Sequence, residues 1–171
     1  MSGTLYIDAV ENLPKKNLVG YCSILNSGEV PQYYDLLWYK FLERLTWSLI
    51  PPGRELFGVC ANLNLNGFFE YWTTVEVFPG DIIPDDLVAI PMNAGTYGSR
   101  VEIPERPLPV FYSRLNQFWE APSDYILNWN HPFYEVYKPD WANRLAVKIC
   151  VPLFASMGCG DRTPADQRLS G

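Results

Sequence analysis

Glu135 is the only charged side chain in the run Pro132-Phe133-Tyr134-Glu135-Val136-Tyr137. The run reads as a strand, and strand alternation puts Phe133, Glu135 and Tyr137 on one face. A carboxylate among aromatic rings is costly to bury unless something answers its charge. Three outcomes satisfy that constraint: the group stays wet, it pairs inside the chain, or it is kept for a positively charged guest. The unexceptional outcomes are an exposed strand edge or a salt bridge to Arg100, Arg114 or Lys148. The functional outcome is a cation receptor, since each well-placed ring attracts a desolvated cation by roughly 0.5–2 kcal/mol. A carboxylate beside a tyrosine could also orient a water as a general base.

Other chemistries find less support. His131 is the only histidine, and it lies between Asn130 and Pro132 with no nucleophile motif nearby. Cys22, Cys60, Cys150 and Cys159 show no C-x-x-C spacing, so neither a zinc site nor any other metal or cofactor is expected. The net charge of −6 lacks the clustered Lys and Arg of a nucleic-acid footprint. No apolar stretch is long enough to span a membrane. The first residues, MSGTLYIDAV, do not resemble a secretory signal, and the cysteines read as reduced. Both features favour the cytoplasm. Aromatic residues reach 15%, which suits either a rich core or a pocket for flat ligands.

The elements that must position Glu135 follow from periodicity. Strands are expected from Thr4 to Asn12 and from Leu18 to Asn26, with a turn at Lys15-Lys16-Asn17. Tyr34, Leu37, Trp38, Phe41, Leu45 and Leu49 recur near a 3.6-residue period, predicting a helix from about Pro31 to Ile50, stopped by Pro51-Pro52-Gly53. Glu55 to Leu63 and Phe69 to Phe78 read as a hairpin around Asn64, Asn66 and Gly67. Leu87 to Pro91 and Gly95 to Ile103 are further strands. Pro107 opens a second helix with Leu108, Phe111, Tyr112, Leu115, Phe118 and Trp119 along one stripe, ended by Pro122. Phe133 to Tyr137 and Arg144 to Leu153 complete the set. The pattern is strand-helix-strand-strand twice, an α+β class with two pseudo-repeats, an antiparallel sheet and a ligand cleft where the halves meet. Residues 1–157 are expected to form one ligand-binding domain, and 158–171 a polar tail.

Four segments, in this order, resemble the GyrI-like effector-binding domains. They are Phe68-Phe69-Glu70-Tyr71-Trp72-Thr73-Thr74-Val75-Glu76-Val77, Ile90-Pro91 with Ala94-Gly95-Thr96-Tyr97, Phe118-Trp119 with Pro122-Ser123, and Glu135-Val136-Tyr137. The resemblance spans about Leu18 to Leu153. Members of that family occur alone, as DNA gyrase inhibitory proteins, and fused to helix-turn-helix modules in multidrug-responsive regulators of the BmrR and Rob type.

The resemblance implies a small-molecule binding protein for lipophilic aromatic cations, with Glu135 as the acidic residue that faces the ligand. Tyr71 and Tyr97 match the family's strand and G-x-Y tyrosines, though each could equally be a core ring. Trp119 could cap the pocket or anchor the helix to the sheet. Phe133 and Tyr137 share the Glu135 face, and Trp129 and Trp141 could line the rim. Strand residues begin at about Thr4, so a stand-alone binder without direct DNA contact is expected, acting by sequestration or through a protein partner such as a separate regulator or DNA gyrase. Two alternatives remain open. One is a GyrI-like hydrolase of cyclopropane-bearing compounds with Glu135 as base and Tyr71 or Tyr137 assisting. The other is a gyrase-inhibitor-type interaction module.

Overall fold

Asn93 and Ala94 are the whole connection between two strands on opposite sides of the main sheet, and that short link dictates the shape. The computed structural model describes residues 5–26, 32–62, 66–102, 119–120, 122, 124–128, 130–138 and 147–155. The strands are β1 (Leu5–Tyr6), β2 (Ala9–Leu13), β3 (Lys16–Asn26), β4 (Leu56–Ala61), β5 (Phe68–Glu76), β6 (Val88–Met92), β7 (Gly95–Glu102), β8 (Trp119–Glu120), β9 (Tyr125–Leu127), β10 (Phe133–Tyr137) and β11 (Val147–Ala155). The described helix is α1 (Gln32–Thr46). The main sheet runs β2-β7-β11-β10-β4-β5-β3-β6, with β9 added along the end of β11. All of its pairings are antiparallel. One helix packed on such a sheet is an α+β arrangement.

In that order β6 and β7 stand six strand-steps apart, roughly 29 Å if the sheet were flat. Two linking residues span at most about 11 Å between the strand ends. The sheet therefore curls into a half-barrel. The same curl buries an inner cluster, in which Met92 of β6 joins Tyr97 of β7 and Phe57, Val59, Tyr134 and Cys150 from the middle strands.

The other face carries α1. Tyr34, Trp38 and Phe41 point inward and are buried, with Leu37, Leu42 and Leu45 beside them. Asp35 in the first turn and Arg44 in the last suit the helix dipole. The helix ends at Thr46, four residues before the expected Ile50, because Ser48 takes over. Both its backbone N–H and its hydroxyl donate to the Leu45 carbonyl, and its oxygen receives the Ile50 N–H. Arg44 then binds Asp86 through two nitrogens while the Tyr21 hydroxyl donates to the same carboxylate, fastening the helix end to the loop before β6.

The expected strand at Thr4 to Asn12 is two pieces, and Lys16, expected in a turn, already belongs to β3. Trp119 was expected at the end of a helix. Its backbone instead pairs in parallel with β1 as part of β8, since a two-residue strand exists only against a partner. The rest of that helix, from Pro107 to Phe118, lies outside the described residues, as do Arg114, Trp129, Trp141 and the 158–171 tail. Among the described residues, no helix is long and apolar enough to cross a membrane.

Phe41 is fully buried and meets Tyr21 and Trp38 edge-on. Phe41→Ala is expected to cost about 3–5 kcal/mol, read as a lower urea midpoint at unchanged slope.

Candidate functional site

Strand β10 lies between β4 and β11 at the middle of the sheet, so Glu135 cannot sit on an edge. Its alternation with Phe133 and Tyr137 turns the carboxylate toward α1, and the side chain is 0% exposed. The exposed-edge reading is thereby excluded, and Lys148 pairs with Glu11 on the other side of the sheet.

Two phenols receive the carboxylate. The Tyr71 hydroxyl donates to Oε1 at 2.7 Å, and the Tyr137 hydroxyl donates to the same oxygen at 2.7 Å. Trp38 Nε1 donates in turn to the Tyr71 oxygen at 3.0 Å. The result is a directed chain from α1 through β5 to β10, closed by a second donor from β10 itself. Tyr34 packs edge-on against Tyr71, and Trp38 against Tyr137, which fixes both rings. Each bond to the charged oxygen contributes roughly 1.5–3 kcal/mol. That partly offsets a burial penalty of several kcal/mol for the ion. Neither phenol carries a net charge.

Gly58 makes the arrangement possible. It stands directly opposite Glu135 in the β4–β10 register. A Cβ there would lie 2.7 Å from Glu135 Oε1 and 2.9 Å from the Tyr71 hydroxyl. The carboxylate thus occupies the space that any other residue's side chain would need.

Burial pushes the Tyr71 phenol well above the usual tyrosine range, and the nearby Glu135 charge adds to the shift. Tyr71 is accordingly a persistent donor and no nucleophile at neutral pH. On the inner face, burial also raises the Tyr97 phenol, followed by the influence of Tyr134. Tyr134 is raised by burial as well.

Of the residues singled out in the sequence, Tyr71 and Tyr137 both hydrogen-bond to Glu135, and Phe133 lies on the same face in the same cluster. Tyr97 stands elsewhere. It faces the inner cluster, rests edge-on against Tyr134 and donates to the Asn93 carbonyl at 2.6 Å, tying down the β6–β7 link. The Trp119 side chain lies outside the described residues. Trp38, Tyr34 and Gly58 were not singled out as site residues. A glycine inside the apolar run Leu56-Phe57-Gly58-Val59-Cys60-Ala61 was the available signal, since such a glycine marks close approach. Among the described residues, no group of three or more His, Cys, Asp or Glu side chains could hold a metal ion.

No protein family matches the chain, and no curated protein does. Solved structures do. The chain is similar to SAV2435 bound to tetraphenylphosphonium, at 17% identity and a TM-score of 0.59, covering 85% of this chain and 93% of that one. It is similar to a Staphylococcus aureus MU50 protein named for bacterial transcription regulation, at 15% identity and a TM-score of 0.57, covering 85% and 96%. An integron cassette protein from the mobile metagenome of Vibrio cholerae follows at 12% identity and a TM-score of 0.56, covering 85% and 95%. At these identities the likeness is one of fold.

Two outcomes test the site's construction. Gly58→Ala and Glu135→Asp should be non-additive in chemical denaturation: the shorter acid retracts from the new methyl, so the double variant is less destabilised than the sum by about 1 kcal/mol or more. The second concerns pH. A phenol whose folded pKa lies above its unfolded value of about 10 stabilises fully below that pH and loses the contribution as pH rises past it. Stability should therefore fall above about pH 10, and Tyr71→Phe should flatten that fall by up to one proton's worth in the slope.

Proposed function

We propose that the protein is a small-molecule binding protein for lipophilic aromatic cations, with Glu135 as the counter-charge. The observation that carries this reading is a carboxylate wholly inside an aromatic cluster and held by two neutral phenols. An ammonium such as lysine's is expensive to desolvate, whereas an aryl phosphonium or a planar dye cation spreads its charge and is not. Such a guest exchanges water for rings and gains the carboxylate's field in a low-dielectric setting. Flat, non-directional contacts accept varied shapes, so breadth of ligand follows from the same parts.

The strand order supports a cleft between two pseudo-repeats. β3, α1, β4 and β5 form one half, whose strands lie in the order β3-β5-β4. β7, β10 and β11 lie in the corresponding order β7-β11-β10, and β4 and β10 meet at the junction. Glu135 and Gly58 face each other across that junction. The likeness in fold to a protein bound to tetraphenylphosphonium agrees with this reading, as does the sequence resemblance to GyrI-like domains. The ligand set we infer is Glu135, Tyr71, Tyr137 and Phe133, with Trp38 and Tyr34 as the movable wall. Trp119 as a cap on the pocket rests on the resemblance alone, and Tyr97 steadies the sheet from its other face. Because Glu135 is fully enclosed, a guest must part the rings to reach it, which makes binding a shift toward a more open state. Two phenols donating to Oε1 stabilise the anion, which suits a counter-charge better than a base. Sequestration, or signalling to a separate partner, follows more readily than turnover.

Tetraphenylphosphonium titrated into the protein, followed by calorimetry, tests the reading. Binding should be measurable and should weaken at least about tenfold in Glu135→Gln. Neutral triphenylphosphine oxide, with the same aryl groups, should bind more weakly and be indifferent to the substitution. Equal affinity of the wild type and Glu135→Gln for the cation would remove the carboxylate from the mechanism.

A further inference from the structure

The outer face of α1 is unusually apolar for a surface helix. Tyr33, Leu36 and Tyr39 are 48%, 62% and 58% exposed, and Trp47, in the turn that follows, is 80% exposed. Residues 33, 36, 40, 43 and 47 alternate spacings of three and four, which is the seam of a helix that packs against another helix. The two polar members of that seam are Lys40 and Glu43, both exposed. An isolated tryptophan needs no explanation on a surface, but Tyr33, Leu36 and Trp47 on one seam around a charged pair do.

We infer that this seam is a two-fold interface with a second copy of the chain. The argument is its self-complementarity. When two α1 helices are laid antiparallel, one register sets Lys40 opposite Glu43 of the partner subunit and Glu43 opposite Lys40 of the partner subunit. The same register sets Leu36 opposite Trp47 of the partner subunit, and Trp47 opposite Leu36 of the partner subunit. Both charges are answered and both large apolar groups are covered by one operation, as an isologous contact requires. A foreign helix would need the same sequence of apolar, basic, acidic and apolar groups read in reverse, which this helix itself supplies. The Lys40 ammonium lies 5.7 Å from the Tyr21 ring centroid on β3, and the side chain remains exposed.

The helix is about 22 Å long. A pair of such helices buries less than the roughly 1,200–2,000 Å² of a stable complex. The dimer is accordingly weak and concentration-dependent. The opposite side of the same helix carries Trp38 and Tyr34 against the Glu135 cluster, so the interface and the site share one element.

Sedimentation equilibrium over about 10 µM to about 1 mM, a range suited to small interfaces, reads the association directly. Lys40→Glu should weaken it at least about tenfold, and so should Glu43→Lys, because each places like charges opposite each other twice. The double variant Lys40→Glu/Glu43→Lys restores the pairing and should return to within about threefold of the wild type. Thermal unfolding of each variant at low concentration should match the wild type, since both positions are exposed. A wild type that stays monomeric throughout would overturn the proposal. A double variant as weak as the single ones would overturn it too.

Discussion

The structure is organised around a negative charge withdrawn from water. A carboxylate at the centre of a sheet is tolerated only if every neighbouring element accommodates it, and four elements do so here. β10 supplies Glu135 and one phenol, β5 supplies the second phenol, and α1 supplies the indole that orients that phenol. β4 supplies an absence, the missing side chain of Gly58. Had the chain needed only a core, a valine at 135 would have served with no donors and no glycine. The number of positions committed to one acid is the physical ground for reading it as functional.

The two faces of the sheet divide the work. The face under α1 holds the polar cluster, and its packing is aromatic and edge-on, the geometry that ring quadrupoles favour. The face inside the curl is closed by the two-residue link at Asn93 and Ala94 and packed with Met92, Tyr97 and Tyr134.

Much of this was legible in the sequence. Phe133 to Tyr137 was bounded correctly because Pro132 opens it and its alternation is unbroken. The shared face of Glu135 and Tyr137 followed from the two-residue strand period alone. Tyr71 was identified from its strand position, but no local pattern could show that it would meet an acid 64 residues away. Trp38 was read as one more apolar member of a helical stripe. Its indole N–H, the atom that joins it to the site, has no signature in periodicity. Tyr97 looked equivalent to Tyr71, since each is a tyrosine on a strand of a similar motif. Their pairing registers turn them to opposite faces of the sheet, and register is a property of strand pairing rather than of any one strand. The early end of α1 was hidden because the competing hydroxyl of Ser48 acts through backbone geometry and leaves the apolar period unchanged.

The pairing of β4 with β10 has a consequence for how the molecule comes into being. Of the other interior pairings on the α1 side of this junction, β5 with β4 joins neighbouring stretches and β3 with β5 closes within the first half of the chain, while β4 must wait for a strand made much later. During synthesis the first half can therefore assemble its helix and three strands with an incomplete edge along Leu56–Ala61. That edge presents Gly58 and unsatisfied backbone groups until β10 leaves the ribosome. Its apolar residues are the segment most exposed to wrong strand partners in the interval. The same pairing that finally encloses the acid thus makes the nascent chain's most vulnerable period last until Glu135 itself has been translated.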